Sequence, residues 1–217
     1  MADDCNNLRI KICGITRLED GLCALDAGAD WLGFIRWPQS RRFQSPDECA
    51  GLIRNIRARF HGPFSAVGVY VDAGRATVLD ENDRLGLDRL QFHGSEAPDY
   101  VNGFKLSVIK ALAVKNAETL IREADQYPGV PILTDTHHPD LRGGTGQGYD
   151  YEMLKGLIRE RDVIIAGGLS PGNVGEIVPD LRPWGGDVSS HIEIEPGIKD
   201  HDKIREFISR ARGIQKR

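Results

Sequence analysis

The fold is first indicated by the stretch DVIIAGGLSPGNV at residues 162–174. A run of branched apolar residues is followed by two glycines, a leucine and then Ser, Pro, Gly and Asn. The apolar run predicts a strand, the glycines predict a tight turn, and the polar residues predict the start of a helix. We therefore interpret this stretch as one strand–loop–helix unit.

The same unit recurs along the chain, because eight short apolar runs alternate with helix-like stretches. Continuous apolar runs of this kind are typical of parallel strands that are buried on both faces. The runs are Ile10–Cys13, Trp31–Ile35, Ala66–Val71, Arg89–His93, Leu106–Leu112, Val130–Asp135, Asp162–Gly167 and Gly186–Ser189. The clearest helical stretches are Leu18–Ala27, Pro46–Arg59, Ala117–Ala124, Asp150–Arg159 and His201–Arg212.

Two α/β architectures are compatible with this alternation. A doubly wound open sheet usually has about five or six strands, and its dinucleotide-binding form carries G-x-G-x-x-G after the first strand. That motif is missing here, and eight units within 217 residues fit a compact barrel. We therefore predict an α/β protein with a single (β/α)8 TIM barrel, in which residues 1–217 form one catalytic domain.

The composition restricts the partners and the compartment. A net charge of −4 gives no electrostatic reason to expect nucleic acid or an anionic membrane as a partner. The four cysteines include no C-x-x-C pair, and the first residues lack the apolar region of a secretory signal. We expect a cytoplasmic protein without a metal, which acts on a small molecule as a monomer or a homodimer.

Chemistry in such a barrel is expected at the C-terminal ends of the strands. Cys13 ends the first strand and Asp135 ends the sixth, so both side chains can point into one mouth as a general base and a general acid. A lone cysteine can equally be a packing residue. Because a free thiol titrates near pH ~8.5, a base role requires nearby positive charge, for which Arg36 and Arg42 are candidates.

The loops after the seventh and eighth strands predict a phosphate site. Gly167 and Gly168 allow backbone N–H groups to approach an anion, and the following helix start adds a favourable dipole. Ser189 and Ser190 follow the eighth strand. A phosphate site in these two loops recurs in barrels of this class, although paired glycines can also serve a tight turn alone.

Three further features carry weaker signals. The glycine-rich segment Gly143–Gly148 is compatible with a lid over the site or with a plain surface loop. The adjacent pair His137-His138 is expected to be solvent-exposed, since neighbouring residues seldom bind one metal ion together. His93, at the end of the fourth strand, is expected to be a hydrogen-bonded structural residue.

Taken together, the motifs resemble the phosphoribosylanthranilate isomerase family over essentially the whole chain. The resemblance begins with Lys11-Ile12-Cys13-Gly14-Ile15-Thr16 and closes with Asp187-Val188-Ser189-Ser190, Pro196-Gly197 and Lys199-Asp200. Between them lie Gly33-Phe34, Pro38-Gln39-Ser40-Arg41-Arg42-Phe43, Val67-Gly68-Val69, Gln91-Phe92-His93-Gly94, Asp135-Thr136, Gly143-Gly144-Thr145-Gly146 and Ala166-Gly167-Gly168-Leu169.

The resemblance implies a cofactor-free Amadori rearrangement of N-(5-phosphoribosyl)anthranilate to the corresponding 1-deoxyribulose 5-phosphate. It implies that Asp135 is the general acid and Cys13 the general base. Arg42 is then expected to bind the anthranilate carboxylate and Asp187 the sugar hydroxyls. Backbone donors around Gly167, Gly168, Ser189 and Ser190 are expected to bind the phosphate.

Some positions depart from the family pattern and leave alternatives open. Arg36 and Trp37 stand where apolar or aromatic residues are usual, and His191 stands where a glycine is usual. One alternative is a related barrel isomerase that acts on another phosphorylated aminosugar. Another is a catalytically silent protein that binds a phosphorylated ligand. Lys11 and Lys110 are the plausible lysines for a synthase of the same barrel class, and Lys11 is expected to point into the barrel.

Overall fold

The computed structural model describes residues 8–136 and 150–213. Eight parallel strands form a closed barrel in chain order, with β1 hydrogen-bonded to both β2 and β8. They are β1 (Arg9–Cys13), β2 (Trp31–Ile35), β3 (Ser65–Tyr70), β4 (Arg89–Phe92), β5 (Ser107–Val114), β6 (Ile132–Thr136), β7 (Val163–Ile165) and β8 (Gly185–Val188). The predicted barrel is therefore confirmed, and the open sheet is excluded.

Helices follow the strands and cover the outside of the barrel. They are α1 (Leu18–Asp26), α2 (Pro46–Arg59), α3 (Arg75–Leu85), α4 (Pro98–Val101), α5 (Ala117–Ala124), α6 (Lys155–Glu160), α7 (Val174–Leu181) and α8 (His201–Ala211). A 3₁₀ turn at Tyr151–Leu154 precedes α6. A short hairpin of β9 (Glu193–Glu195) and β10 (Ile198–Lys199) lies between β8 and α8.

Most predicted boundaries agree with the structure to within one or two residues, and the exceptions have local causes. The seventh strand ends at Ile165, before the predicted end at Gly167. Gly167 and Gly168 have φ angles of +70° and +82°, which extended strands cannot contain. The helix predicted from Asp150 begins instead as the 3₁₀ turn, and α6 starts at Lys155.

The alternation of side chains along the strands produces two separate cores. Side chains that point inward fill the barrel itself, and those that point outward pack against the helices. The inner cluster is formed by Trp31, Val67, Ile109, Ala111, Leu133, Ile164 and Ala166, with Trp184 packed against it. The larger outer cluster contains Ile10, Ile12, Leu32 and Phe34 together with the apolar faces of the helices.

Some features of the sequence lie outside the described residues, namely the Gly143–Gly148 segment and the pair His137-His138. Within the described ranges, no helix is long and apolar enough to cross a membrane. The same part of the chain contains no group of three His, Cys, Asp or Glu side chains that could hold a metal ion.

Helix α2 shows how local sequence sets an element boundary. The Ser45 hydroxyl accepts a hydrogen bond from the Glu48 amide, and the Glu48 carboxylate accepts one from the Ser45 amide at 2.9 Å. This reciprocal capping box satisfies two amide groups that the helix cannot pair itself, and Pro46 occupies the first helical position, where its missing N–H is not needed. The cap therefore fixes where α2 begins.

We predict that Ser45→Ala lowers the free energy of unfolding by about 1 kcal/mol, because the cap hydrogen bond is lost. For a protein of this size the loss corresponds to a fall in Tm of roughly 2–4 °C, measurable by thermal unfolding. Asn55→Ala, at an exposed position within the same helix, is the control and is expected to change stability by less than about 0.5 kcal/mol. Equal effects of the two substitutions would contradict the capping role.

Candidate active site

The C-terminal ends of the barrel strands surround a cavity of about 580 Å³. We call this opening the mouth. The structure brings together at the mouth most of the residues that the sequence singled out. Those that line it are Cys13, Arg42, Asp135, Gly167, Gly168, Asp187, Ser189 and Ser190.

The base candidate lies beside a buried ion pair. Lys11 and Cys13 are two residues apart on β1, so both side chains point into the barrel. The Lys11 Nζ donates to Oδ1 of Asp187 at 3.0 Å, across the seam between β1 and β8. A Cβ atom at Gly33 would lie 2.8 Å from the Cys13 sulfur and 3.0 Å from the Lys11 Nζ. The glycine on β2 therefore leaves the room that the thiol and the ammonium group occupy.

Burial and charge act in opposite directions on the thiol. Burial raises the pKa of Cys13 above its ordinary value, and the nearby Lys11 ammonium is the strongest influence that lowers it. Burial also disfavours the charged form of Lys11, but Asp187 and Cys13 outweigh this and raise the Lys11 pKa. The positive charge that the thiol requires is therefore supplied by Lys11, inside the barrel, rather than by the arginines after β2 alone.

The acid candidate is held by a short chain of hydrogen bonds. Oδ2 of Asp135 lies 3.1 Å from Nε2 of His93, and Nδ1 of His93 lies 3.1 Å from the amide nitrogen of Gln91. Because an amide nitrogen only donates, Nδ1 accepts and the ring hydrogen is placed on Nε2, directed at the carboxyl group. The other oxygen, Oδ1, accepts from the Thr136 amide at 2.8 Å. His93 is hydrogen-bonded, as predicted, but its partner is the acid candidate itself.

The loops after β7 and β8 form the predicted phosphate end of the cavity. The positive φ angles of Gly167 and Gly168 turn the chain sharply before α7, and a Cβ at Gly167 would approach the Thr136 nitrogen to 2.5 Å. Within the residues that the structure describes, the backbone N–H groups of Gly168 and Ser190 donate to no acceptor. Unpaired amides in turns of this kind are suited to an anion. The side chain of His191 lines this end of the cavity as well.

Arg42 lies at the rim and is already oriented by a carboxylate. Its Nε and Nη2 donate to the two oxygens of Glu193 at 2.8 Å and 2.6 Å. The aliphatic part of the side chain covers Gly14, where an added Cβ would lie 2.5 Å from the Arg42 Cδ. The arginine is therefore fixed directly above the loop that follows Cys13.

The prediction that Arg36 binds the substrate is wrong, because its side chain does not line the cavity. Side chains alternate along β2, so Ile35 lines the mouth and Arg36 points outward to the helices. There its guanidinium makes two hydrogen bonds with Glu81, at 2.8 Å and 2.9 Å, and a third with the carbonyl oxygen of Gln44. Arg36 is only 4% exposed and serves the packing of α3 against the β2 loop.

A closed eight-stranded barrel whose mouth is lined by a thiol, a carboxyl group and a glycine turn is typical of a barrel enzyme with acid–base chemistry on a small substrate. Comparison with known proteins gives the particular family. The family model described as N-(5'phosphoribosyl)anthranilate (PRA) isomerase matches residues 10–210. The chain belongs to this family of isomerases.

Individual relatives agree with this assignment. An N-(5'-phosphoribosyl)anthranilate isomerase from Desulforudis audaxviator is 45% identical over 204 residues, which are 94% of this chain and 97% of the relative. The phosphoribosyl anthranilate isomerase structure from Thermotoga maritima has a TM-score of 0.86 at 37% identity, covering 95% and 99% of the two chains. A phosphoribosyl anthranilate isomerase in complex with reduced 1-(o-carboxyphenylamino)-1-deoxyribulose 5-phosphate has a TM-score of 0.83 at 35% identity, with the same coverage.

The sequence patterns assigned no role in the site to four residues that the structure pairs, directly or in series, with Asp135 or Arg42. Gln91 and His93 are hydrogen-bonded in series to Asp135, and Lys199 is hydrogen-bonded to Glu193, which in turn is paired with Arg42. A signal was available for Gln91, because it lies two residues before His93 and therefore on the same side of the strand. Glu193 and Lys199 lie on a hairpin after β8, for which the pattern of strands and helices gave no indication.

We predict that Arg36→Ala lowers the free energy of unfolding by about 3–5 kcal/mol, because it leaves the Glu81 carboxylate buried without its partner. The KM of the folded fraction is expected to change by less than about twofold, since Arg36 lies outside the cavity. Urea unfolding and steady-state kinetics measure the two quantities. Arg54→Ala, at an exposed position of α2, is the control. A large rise in KM with unchanged stability would contradict this assignment and support a substrate-binding role for Arg36.

Proposed function

We propose that the protein converts N-(5-phosphoribosyl)anthranilate into 1-(2-carboxyphenylamino)-1-deoxyribulose 5-phosphate, a step of tryptophan biosynthesis. The observation that carries the proposal is that one cavity is lined by Cys13, by Asp135 and by the glycine turn after β7, in a chain of this family. The reaction moves hydrogen within one molecule, so it requires a proton donor and a proton acceptor but no redox cofactor or metal.

The first step assigned to the site is protonation of the furanose ring oxygen by Asp135. Loss of the ring C–O bond then gives an open-chain Schiff base. Asp135 becomes a carboxylate as its proton leaves, and the hydrogen bond from Nε2 of His93 stabilises that charge. The buried surroundings strengthen this interaction, because little water competes for the carboxylate.

The second step is removal of the C2′ proton by the thiolate of Cys13. The resulting enolamine tautomerises to the ketone of the product. The Lys11 ammonium stabilises the thiolate, and the Lys11–Asp187 ion pair keeps the ammonium in place on β1. Among the residues that the structure describes, Oδ1 of Asp187 binds Lys11 and Oδ2 has no hydrogen-bond donor, so we assign Oδ2 to a sugar hydroxyl.

Binding of the two ends of the substrate supports both steps. The N–H groups of Gly168 and Ser190, with neighbouring Gly167 and Ser189, are assigned to the phosphate. Arg42 is assigned to the anthranilate carboxylate at the other end. Anchoring both anions fixes the sugar between acid and base, and such orientation can account for several kcal/mol of barrier lowering, roughly 7–11 at best.

The remaining proposals concern the context of the enzyme. Residues 1–217 act as one catalytic domain in the cytoplasm, as a monomer or a homodimer, without nucleic acid or membrane. The alternative substrate, another phosphorylated aminosugar, was motivated by Arg36 and His191. Burial of Arg36 against Glu81 removes the first of these reasons. The second reason remains, because His191 lines the cavity beside the loop after β8.

The proposed function is tested with Asp135→Asn and phosphoribosylanthranilate as substrate. Asparagine retains the shape of aspartate but cannot deliver a proton, so we expect kcat to fall at least about 10²-fold. Turnover is followed by loss of the substrate's fluorescence, and circular dichroism checks that the fold is intact. Asp162→Asn, exposed at the opposite end of the barrel, is expected to keep full activity. A wild-type protein without turnover would overturn the proposed function, and retention of more than about a tenth of kcat in Asp135→Asn would overturn the acid role.

The assignment of Lys11 predicts a change in the pH dependence. Burial raises the Cys13 pKa and Lys11 lowers it, so removal of the ammonium in Lys11→Met raises that pKa further. In the wild type, kcat/KM is expected to rise with pH as the Cys13 thiol ionises. In Lys11→Met this rise is expected at higher pH, and kcat/KM at neutral pH is expected to fall on the order of 10²-fold. Asp187 and Lys199 also act on the thiol, in opposite directions, and remain in the variant.

A matched control is available for this measurement. Lys110→Met breaks another buried ion pair, in which Nζ lies 3.0 Å from the Glu96 carboxylate on the outer side of the barrel. Its stability loss is expected to be similar, but its pH profile should match that of the wild type. If both lysine variants shift the profile equally, Lys11 has no specific influence on the thiol.

A further inference from the structure

Three charged side chains at the mouth form a connected group, which we call the rim triad: Arg42, Glu193 and Lys199. Glu193 and Lys199 come from the hairpin β9–β10, and Arg42 comes from the loop after β2. Both oxygens of Glu193 accept from Arg42, and Oε1 also accepts from the Lys199 Nζ at 2.8 Å. The side chains of Glu193 and Lys199 are 4% and 0% exposed. The Glu193–Lys199 pair of the triad is therefore almost fully buried, and the triad is not a contact between solvent-exposed side chains.

The pairing with Glu193 leaves part of the Arg42 guanidinium free. A guanidinium has five N–H groups, and Glu193 takes the one on Nε and one of the two on Nη2. The remaining three, on Nη1 and Nη2, form the end-on edge that can hold a carboxylate with two parallel hydrogen bonds. Within the described residues this edge has no acceptor, and Arg42 lines the cavity. One arginine can therefore bind Glu193 and a substrate carboxylate together.

The charge of the triad decides whether such a carboxylate is attracted. An Arg42–Glu193 pair alone is electrically neutral and offers an anion little beyond hydrogen bonds. Burial raises the pKa of Glu193, but Arg42 and Lys199 outweigh it and hold that pKa below the usual range, so this residue is ionised. The lysine adds one positive charge, which leaves the triad with a net charge of +1.

The surroundings of Lys199 match an ammonium group. Its three N–H groups have three acceptors: Glu193 Oε1 at 2.8 Å, the Cys13 carbonyl at 2.6 Å and the Ser189 carbonyl at 3.2 Å. Burial holds the pKa of Lys199 below its usual range, although the Glu193 carboxylate opposes this. The three acceptors favour the ammonium form, since a neutral amine has only two N–H groups to donate. The two carbonyl contacts also tie the triad to the strand ends that carry the base and the phosphate loop. The position of the triad relative to both is thereby fixed.

We propose that Lys199 is a positioning residue that gives the rim triad its net positive charge, so that Arg42, held edge-on by Glu193, selects the carboxylate of the aromatic amine. The proposal rests on the proposed function, because it takes that carboxylate from the proposed substrate. It assigns to the hairpin β9–β10 a role in substrate selection, although neither Glu193 nor Lys199 lines the cavity. The hairpin's ion pair thus acts on that carboxylate through Arg42.

The experiment compares two ligands that differ only in the group of interest. One is reduced 1-(o-carboxyphenylamino)-1-deoxyribulose 5-phosphate, and the other is the same compound without the carboxylate. Dissociation constants are measured by titration calorimetry for the wild type, Lys199→Met, Lys199→Gln and the double variant Lys199→Met with Glu193→Gln. Glu195→Gln, exposed on the same hairpin, is the matched control. The ratio of the two constants isolates the contribution of the carboxylate.

We expect Lys199→Met and Lys199→Gln to reduce the preference for the carboxylated ligand roughly tenfold or more, since the triad becomes neutral. The affinity for the ligand without the carboxylate should change less than about threefold. In the double variant the net charge is again +1, so the preference should return towards the wild-type value. Glu195→Gln should leave it unchanged.

Several results would overturn the proposal. If Lys199 had a purely structural role, its substitution would lower the affinity for both ligands equally. The double variant would then bind both ligands less tightly than Lys199→Met does. Wild-type protein that binds both ligands equally would show that Arg42 selects no carboxylate, while turnover of phosphoribosylanthranilate could still support the proposed function. Wild-type protein that binds neither ligand and lacks turnover would overturn both. If Lys199→Met does not fold, Lys199→Gln, which retains an N–H donor, provides the same comparison.

Discussion

The closure of the barrel between β1 and β8 is the constraint on which the site depends. Lys11 is paired in register with Asp187 at this seam, and their side chains form an ion pair inside the barrel. Without closure, the first and last strands would be separate edges and the thiol of Cys13 would lie far from the loops after β7 and β8. Parallel pairing of the terminal strands therefore creates the mouth as well as the fold.

Side-chain alternation then determines which charged residues belong to the mouth. Lys11, Cys13 and Asp135 occupy inward positions of their strands, whereas Arg36 and Lys110 occupy outward ones. The outward pair finds carboxylates among the helices and loops, namely Glu81 and Glu96. Inward charges instead face the cavity or one another. A shift of one residue along a strand thus separates a group that can act on a substrate from one that serves packing.

This rule explains how much could be predicted from the sequence. The eight strands, the barrel and the positions of Cys13 and Asp135 near strand ends were predicted from local patterns, and the structure agrees with these predictions. The misplacement of Arg36 was avoidable, because it follows the inward residue Ile35 by one position. The pairing of Glu193 with Arg42, in contrast, joins residues 151 positions apart through a short hairpin. Long-range side-chain pairs of this kind leave no periodic signal in the chain.

The buried charges of this protein are better explained by orientation than by stability. Removing two ions from water costs about as much as their attraction returns, so a buried pair adds little to the free energy of folding. A buried ion pair instead holds each charged group in one orientation before the substrate binds. The surroundings then need not reorganise as charge develops during the reaction. Lys11 is held by Asp187 beside the thiol, and Arg42 is held by Glu193 at the rim. The cost of removing charges from water makes such pairs rare in protein interiors. At the mouth, that cost is offset by the orientation that the pairs give to the charged groups around the substrate.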